Sequence, residues 1–324
     1  MIRLPAMILA SMLAAGAAVA QTGDAGWPDR PIRLIVPFPA GSSTDIISRI
    51  LAQRLGARLG QQIVVDNRVG ASGNLGADAL AKAAPDGATI GIATASTHAV
   101  ALSLSANLPY DPIKDFAPVA MIGSAPYVLV VYPGLPVNDL KDLIALAKAK
   151  PGALNYGSAG VASLAHLATA LFAAMAGIKI THVPYKSSSQ SVTDMITGRL
   201  DMQFATIAPS LPNIRAGQLR ALVTSGKTRA AALPEVPTVA ESGLAGYEAA
   251  LWIAFVMPAA TRPAIVARLN RETNGILSSA DAREALVAQG VEPEPGPPAA
   301  LTERIRTDIE KWRGVVAKAG IRPD

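Results

Sequence analysis

Residues Pro31 to Leu51, PIRLIVPFPAGSSTDIISRIL, constrain the fold more than any other stretch, because a strand, a tight turn and a helix start follow one another without a spacer. Arg33 to Phe38 is a short apolar, β-branched run broken by Pro37 and Pro39, which predicts a buried strand ending in a constrained loop. Ser42 followed three residues later by Asp45 predicts a capping box, with Asp where Glu or Gln is usual. Ile46, Ile47, Ile50, Leu51 and Leu55 then mark an apolar helix face. Between strand and helix, Gly41, Ser42, Ser43 and Thr44 set three hydroxyls and free backbone N–H groups at the positive end of a helix dipole, which is a place for an anion.

The same alternation runs on through the chain. Strands are expected at Ile63 to Asp66 and Thr89 to Ala93, with a glycine-rich loop and an alanine-rich helix between them. This spacing predicts βαβ units around a parallel sheet, with ligands at the carboxyl ends of the strands, where Thr94, Ala95, Ser96 and Thr97 lie. Leu108 to Val119 is rich in proline and charge and reads as an irregular surface connection. A strand at Tyr127 to Tyr132 and a helix at Asp139 to Lys150 follow, and then the pattern restarts. Leu154 to Gly157 enters a second glycine-hydroxyl turn, Gly157 to Ser163, ahead of a helix through His166 and Met175. Strands at Lys179 to Val183, Asp201 to Ala205, Arg220 to Thr224 and Tyr247 to Val256 complete the pattern, with a helix at Ser188 to Thr197. Three helices close the chain and are expected to pack back onto the first lobe. The organisation predicted is a 1–20 signal peptide, one discontinuous lobe of 21–124 and 250–324, and a second lobe of 125–249.

Composition narrows the chemistry. Half of the 324 residues are hydrophobic, enough for two lobes with cores of their own, and no cysteine occurs, which excludes disulfides, zinc-thiolate sites and a cysteine nucleophile. Met1 to Ala20 has one basic residue, an apolar run and an Ala18-Val19-Ala20 ending, the pattern of a cleaved secretory signal peptide, so a soluble periplasmic product is expected. The net charge of +5 is mild and the basic residues are scattered without interleaved aromatics, which argues against nucleic acid. His98, His166 and His182 are too far apart in sequence for a helical metal-ligand pair. Tyr156-Gly157-Ser158-Ala159-Gly160 has tyrosine where a hydrolase elbow needs glycine, and Gly226-Lys227-Thr228 lacks the upstream glycine of a phosphate loop. Gly70, Gly73 and Gly76 lack the Gly-x-Gly core of a dinucleotide loop. Neutral donors at two or three helix-leading turns are what remains, with no cofactor and no metal.

Several ordered segments carry a resemblance: WPDRPIRLIVPFPAGSSTDIISR, VVDNRVGASGNLGA, APDGATI, LPYDPIKDFAPV, AKAKPGALNYGSAGVASLAHLA, HVPYKSSS, AGQLRALVTSGKTR and LPEVPTVAESGLAGYEAALW. Together they resemble the periplasmic solute receptors of tripartite tricarboxylate transporters, the Bug receptors. The resemblance implies an α/β fold of the type II periplasmic binding protein, a two-lobed Venus-flytrap with a mixed sheet and flanking helices in each lobe. It implies a receptor, not an enzyme, that closes on a small carboxylate as a monomer and presents it to membrane transporter subunits. A sensor docking on a membrane signalling protein, or an exported enzyme using the same cleft, are the alternatives. Ligand contacts are implied at Phe38, Ala40, Gly41, Ser42, Ser43, Thr44 and Asp45, near Thr94, Ala95, Ser96 and Thr97, at Tyr156, Gly157, Ser158, Ala159, Gly160 and Ser163, and at Phe204, Ala205 and Thr206. The chain departs from the family pattern in three places. Gly41-Ser42 stands where two glycines are usual, Ser187 follows Lys186 where glycine is frequent, and Phe204-Ala205-Thr206 lacks the common acidic residue. Without that acid a ligand ammonium has no partner, so an uncharged-bodied dicarboxylate or an aromatic carboxylate is expected.

Overall fold

The computed structural model describes residues 26–320 apart from 106, 162, 186 and 187. The signal-peptide expectation and the Lys186-Ser187 departure lie outside the described residues. The elements in order are β1 (Ile32–Val36), α1 (Ser43–Leu59), β2 (Ile63–Asn67), a tight turn at Ala71–Gly73, α2 (Asn74–Ala81), β3 (Thr89–Thr94), a wide helical turn at Ser96–Val100 and α3 (Ala101–Leu104). They continue as β4 (Phe116–Val131), α4 (Leu140–Ala149), β5 (Asn155–Ser158), α5 (Leu164–Ala176), β6 (Thr181–Pro184), α6 (Ser188–Ile196), β7 (Met202–Thr206), α7 (Ile207–Arg215) and β8 (Arg220–Thr224). The chain ends with β9 (Ala250–Pro258), α8 (Pro263–Leu277), α9 (Ala280–Val287), β10 (Glu292–Pro293) and α10 (Pro298–Ala319).

Strand order is β2-β1-β3-β9-β4-β7-β5-β6, with β8 and β10 also paired to β4. β1 runs parallel to β2 and β3, and β5 parallel to β6 and β7, so each half has its own βαβ core. β4 joins the halves. Its first part pairs antiparallel with β9, from Phe116 opposite Pro258 to Pro126 opposite Ala250. From Tyr127 onward it pairs instead with β7 and β8. The partner change therefore falls between Pro126 and Tyr127, and Ser225 pins it. Ser225 N donates to Tyr127 O at 2.8 Å, Tyr127 N donates to Ser225 Oγ at 2.8 Å, and Ser225 Oγ donates to Ala249 O. The chain's return from β8 to β9 thus crosses beside β4 at the same place.

Among the elements that differ from the sequence reading are β4 and α7. Part of the predicted irregular connection is strand, since β4 begins at Phe116. Pro118 sits where its register slips, between Pro118 and Ala120, and a bulge accommodates the missing N–H. The sequence reading has no element at α7, and the helix forms despite Pro209 and Pro212. Pro209 lies in the first turn, where its N–H would lack a helical partner anyway, and Pro212 falls near the end of a nine-residue helix.

The terminal helices divide their contacts. α8 packs on β4 and α1, and α9 on α1 and β10, while α10 touches β4, α3 and also α5 of the second half. Trp312 of α10 and Trp252 of β9 are fully buried in a cluster shared by both halves. Asp308 anchors α10 there, accepting from Trp252 Nε1 at 2.7 Å with Arg304 Nε at 3.3 Å. A buried carboxylate held this way is costly to strip of its partners.

His98 and His166 are buried neutral. Burial pushes the His98 imidazole down to about 3, against the ring of Phe116 at 4.5 Å. Burial and the stacked His182, 4.0 Å away, bring His166 to about 4. Unfolded histidines take up protons near pH 6.5, so the unfolded chain binds protons that the folded chain refuses. Stability is therefore expected to fall as pH drops from about 6.5 toward about 4. Urea midpoints at several pH values will check this. A His98→Leu variant should flatten the slope, and an unchanged slope would mean that the carboxylates alone set it.

Candidate functional site

The opening turn is braced from within. Gly41 takes a left-handed conformation (φ 79°), and Ser42 N donates to Pro39 O at 3.1 Å. Ser42 is the N-cap of α1, its Oγ accepting from Asp45 N at 3.2 Å. The reciprocal bond differs from a standard capping box: Asp45 Oδ2 accepts from Gly41 N, 2.9 Å away, because Ser42 N is already engaged. Arg49 Nε reaches the same oxygen at 2.9 Å, and Asn67 Nδ2 donates to Asp45 Oδ1 and to Phe38 O, each at 2.9 Å. Burial pushes the Asp45 carboxyl up, but these donors outweigh it and hold the group below its usual value. Asp45 is thus consumed by the turn. Ser43, Thr44 and the side chain of Phe38 face outward from it, lining cavities, while exposed Ala40 and Gly41 shape the loop.

At the end of β3, Thr94 N donates to Thr97 Oγ1 at 3.1 Å, and Thr97 Oγ1 lies 2.9 Å from His98 Nδ1. Thr94, Ala95 and Thr97 are buried, and Ser96 turns toward the cavities. The second turn is also self-satisfied. Ser158, fully buried, donates to Gly160 O at 2.9 Å and lies 2.7 Å from His182 Nε2. Ser163 caps α5, accepting from His166 N and donating to Gly160 O. The Ser158–His182 pair has the elements of a nucleophile and base, but the serine proton points at a carbonyl and the hydroxyl is sealed from solvent. Tyr156 stacks on His182 at 4.9 Å, and a side chain on Gly157 would collide with Leu200 and Ser191. Tyr156, Gly157 and Ser158 therefore stand behind the surface that Ala159 and Ser163 present, with left-handed Gly160 (φ 114°) turning the loop. Phe204 and Ala205 are buried in β7, and Thr206 emerges at its end.

Two cavities meet here. The larger, about 460 Å³, is lined by Phe38 and Ser96 from the first half and Ala159, Ser163 and Thr206 from the second. The smaller, about 200 Å³, lies between Ser42, Ser43 and Thr44 on one side and Thr206 to Pro209 on the other. They share Phe38, Ser96, Thr206 and Leu251, and among the described residues no charged side chain lines either one. No group of three potential metal ligands occurs among the described residues.

A sequence profile described as the tripartite tricarboxylate transporter family receptor matches residues 47–321. The protein BugT of Bordetella pertussis is 41% identical over 323 residues, covering 99% of each chain. The chain belongs to this receptor family. It is a periplasmic solute-binding receptor and not an enzyme, with the two-lobed fold of its relatives. A Rhodopseudomonas palustris protein solved with adipate, Rpa4515, is similar at 38% identity and a TM-score of 0.81, covering 92% of this chain and all of that one. MatC of the same organism, solved with malate, has 31% identity and a TM-score of 0.75, covering 90% of this chain and 100% of its own. No helix among the described residues of this receptor is long and apolar enough to cross a membrane.

Several cavity residues escape the sequence reading of this receptor. Tyr127, seen there only as a strand residue, is 5% exposed and lines the larger cavity. Burial pushes its phenol up, and the hydroxyl makes no hydrogen bond to any described residue. Ala71 and Ser72 line the same cavity with left-handed backbones (φ 47° and 56°), a strain that non-glycine residues rarely carry away from functional sites. Asn74, Leu251 and the Gln289 to Val291 segment also reach the cavities, and only the glycine-rich loop before Asn74 hinted at any of them.

The division of labour in the opening turn is testable. Asp45→Ala should lower the ligand-free melting point and ligand response together, at a cost of about 1 to 2 kcal/mol. Ser43→Ala, whose hydroxyl braces nothing, should weaken ligand response with the ligand-free melting point nearly fixed. Paired melting curves read both, and equal apo losses would make the turn a cap and nothing more.

Proposed function

We propose that this receptor captures a small carboxylate in the two joined cavities between the lobes, about 460 and 200 Å³, and holds it with uncharged donors from both lobes. The observation that carries this reading is the pairing of an uncharged cavity wall with one buried hydroxyl, that of Tyr127, which bonds to no described residue. Hydroxyls and helix starts hold an anion without burying a lysine or arginine and its desolvation cost. The adipate and malate of the two structural relatives belong to the same chemical class. The Phe204-Ala205-Thr206 stretch, where an acid after the phenylalanine is common in the family, offers a ligand ammonium no counter-charge, which favours acids with an uncharged body over amino acids.

In this reading the lobes are 21–124 with 250–324, and 125–249. They move about the Pro126–Tyr127 and Ser225–Ala249 crossings, where β4 changes partners. The protein is exported by the Met1 to Ala20 signal peptide, acts as a monomer, and presents its loaded form to the membrane subunits of a tripartite transporter.

A panel of mono-, di- and tricarboxylates and aromatic acids, scored by thermal shift, tests the proposal. A fitting acid at a hundred times its Kd should add about 2.7 kcal/mol of stability. Tyr127→Phe should weaken that acid about fivefold, since one hydrogen bond to a charged group is lost. A melting curve that no acid moves, or a Tyr127→Phe protein that binds as well as the parent, would contradict it.

A further inference from the structure

The connection ahead of β4 touches the wall of the larger cavity through Tyr110. This residue does not line the cavity itself, but Asn74, to which it bonds, does. Tyr110 is 5% exposed, its ring edge-on to Phe116 at 5.7 Å. The chain that follows it is closed on itself. Asp111 Oδ1 accepts from Ile113 N at 2.9 Å and from Lys114 N at 3.0 Å, and Asp115 Oδ2 accepts from Asp111 N at 2.7 Å. The phenol is therefore carried by a braced loop. Its hydroxyl donates to Thr97 O at 2.7 Å and to Asn74 Oδ1 at 2.9 Å, one proton shared between two acceptors. Burial and the Asp78 charge push the phenol up, so that proton stays in place throughout the neutral range.

An amide is planar, so holding its oxygen fixes the edge on which its nitrogen lies. With Asn74 Oδ1 taken up by Tyr110, the N–H groups of Nδ2 lie on the opposite edge, and they donate to no described residue. The turn that brings Asn74 to the wall has no slack. Ala71 and Ser72 are left-handed, and a Cβ on Gly73 would come to 2.8 Å from Thr97 Cγ2 and 3.4 Å from Phe38 Cζ. The turn is thus pressed between the end of β3 and the opening loop, with Tyr110 bonded to both Thr97 and Asn74.

We propose that Asn74 is a ligand-contacting donor of the larger cavity and that Tyr110 is its positioning residue, fixing the amide so that Nδ2 rather than Oδ1 meets the bound acid. This rests on the reading that an acid occupies the joined cavities. Tyr110 acts only through Asn74. Without the phenol the amide is free to turn over and set its oxygen against a carboxylate, which repels it. Held as it is, the amide selects for acceptors: a carboxylate or carbonyl oxygen is taken at Asn74, and an ammonium group is refused there.

Calorimetric titration with an acid chosen by thermal shift tests the pair. Asn74→Asp keeps an oxygen for Tyr110 and puts an acid in the first turn of α2, where a helix favours one, so the ligand-free melting point should not fall. The acid should nevertheless bind about a hundredfold more weakly, because an anion has replaced the donor. Tyr110→Phe should weaken the acid about fivefold in the parent and not at all in an Asn74→Ala background, a dependence that loss of core packing would not produce. An Asn74→Asp protein that binds like the parent, or a Tyr110→Phe cost that is the same in both backgrounds, overturns the pair while leaving capture of a carboxylate intact. Where Tyr110→Phe does not fold, Asn74→Asp decides. If the parent takes up no acid of the panel, the capture reading falls and the role of Asn74 with it.

Discussion

The site depends on how the opening turn disposes of its own polar groups. A helix start leaves backbone N–H groups unbonded, and a buried turn must satisfy them or hold them for something else. Here one carboxylate does the internal work. Asp45 takes Gly41 N, Arg49 and Asn67, and Asn67 in turn holds Phe38 O, so strand, turn and helix become one rigid piece. Because that need is met from inside, Ser43 and Thr44 are left over, facing the cavities. The second turn follows the same logic with different parts, Ser158 and Ser163 closing on Gly160 O so that Ala159 and the start of α5 are presented outward. Both turns present a surface of dipoles rather than charges toward the cavities. Such a surface binds anions in a water-poor cleft without an ion pair that would have to be broken at release.

The second dependence is on β4. A single strand of 16 residues serves one set of partners up to Pro126 and another from Tyr127 on, and the return crossing at Ser225 and Ala249 lies beside it. Tyr127 sits at this junction and also lines the larger cavity. A residue that belongs both to the crossing and to the wall is well placed to couple ligand contact to lobe geometry. α10 works against free motion there, since it touches β4 and α5 and is tied by Asp308 to Trp252.

Much of this was legible in the sequence where local rules govern. Pro31 to Leu51 announced its strand, glycine turn and cap by residue type alone, and Gly157 to Ser163 did the same. What stayed hidden depends on partners far along the chain. Nothing near Tyr127 says that its hydroxyl will lack a partner, because that follows from pairing opposite Thr206 and from the turn of Ser225 beneath it. α7 was invisible because Pro209 and Pro212 speak against a helix, although one sits harmlessly in the first turn. Gly290 reads as an ordinary turn residue until Ala208 is placed across from it. Even the capping box was only partly legible: the residues were right, but Asp45 reaches Gly41 rather than Ser42, a choice fixed by the Pro39 carbonyl.

The central claim is that a carboxylate is gripped by helix starts of both lobes at once. Amide hydrogen exchange, with and without a saturating acid identified by thermal shift, tests this most directly. The account predicts slowed exchange at Ser43 and Thr44 of α1, at the Ala159 to Leu164 segment and at Ile207 and Ala208 of α7, all in the same titration. Protection confined to the turns of one lobe, with the other unchanged at saturation, would contradict it.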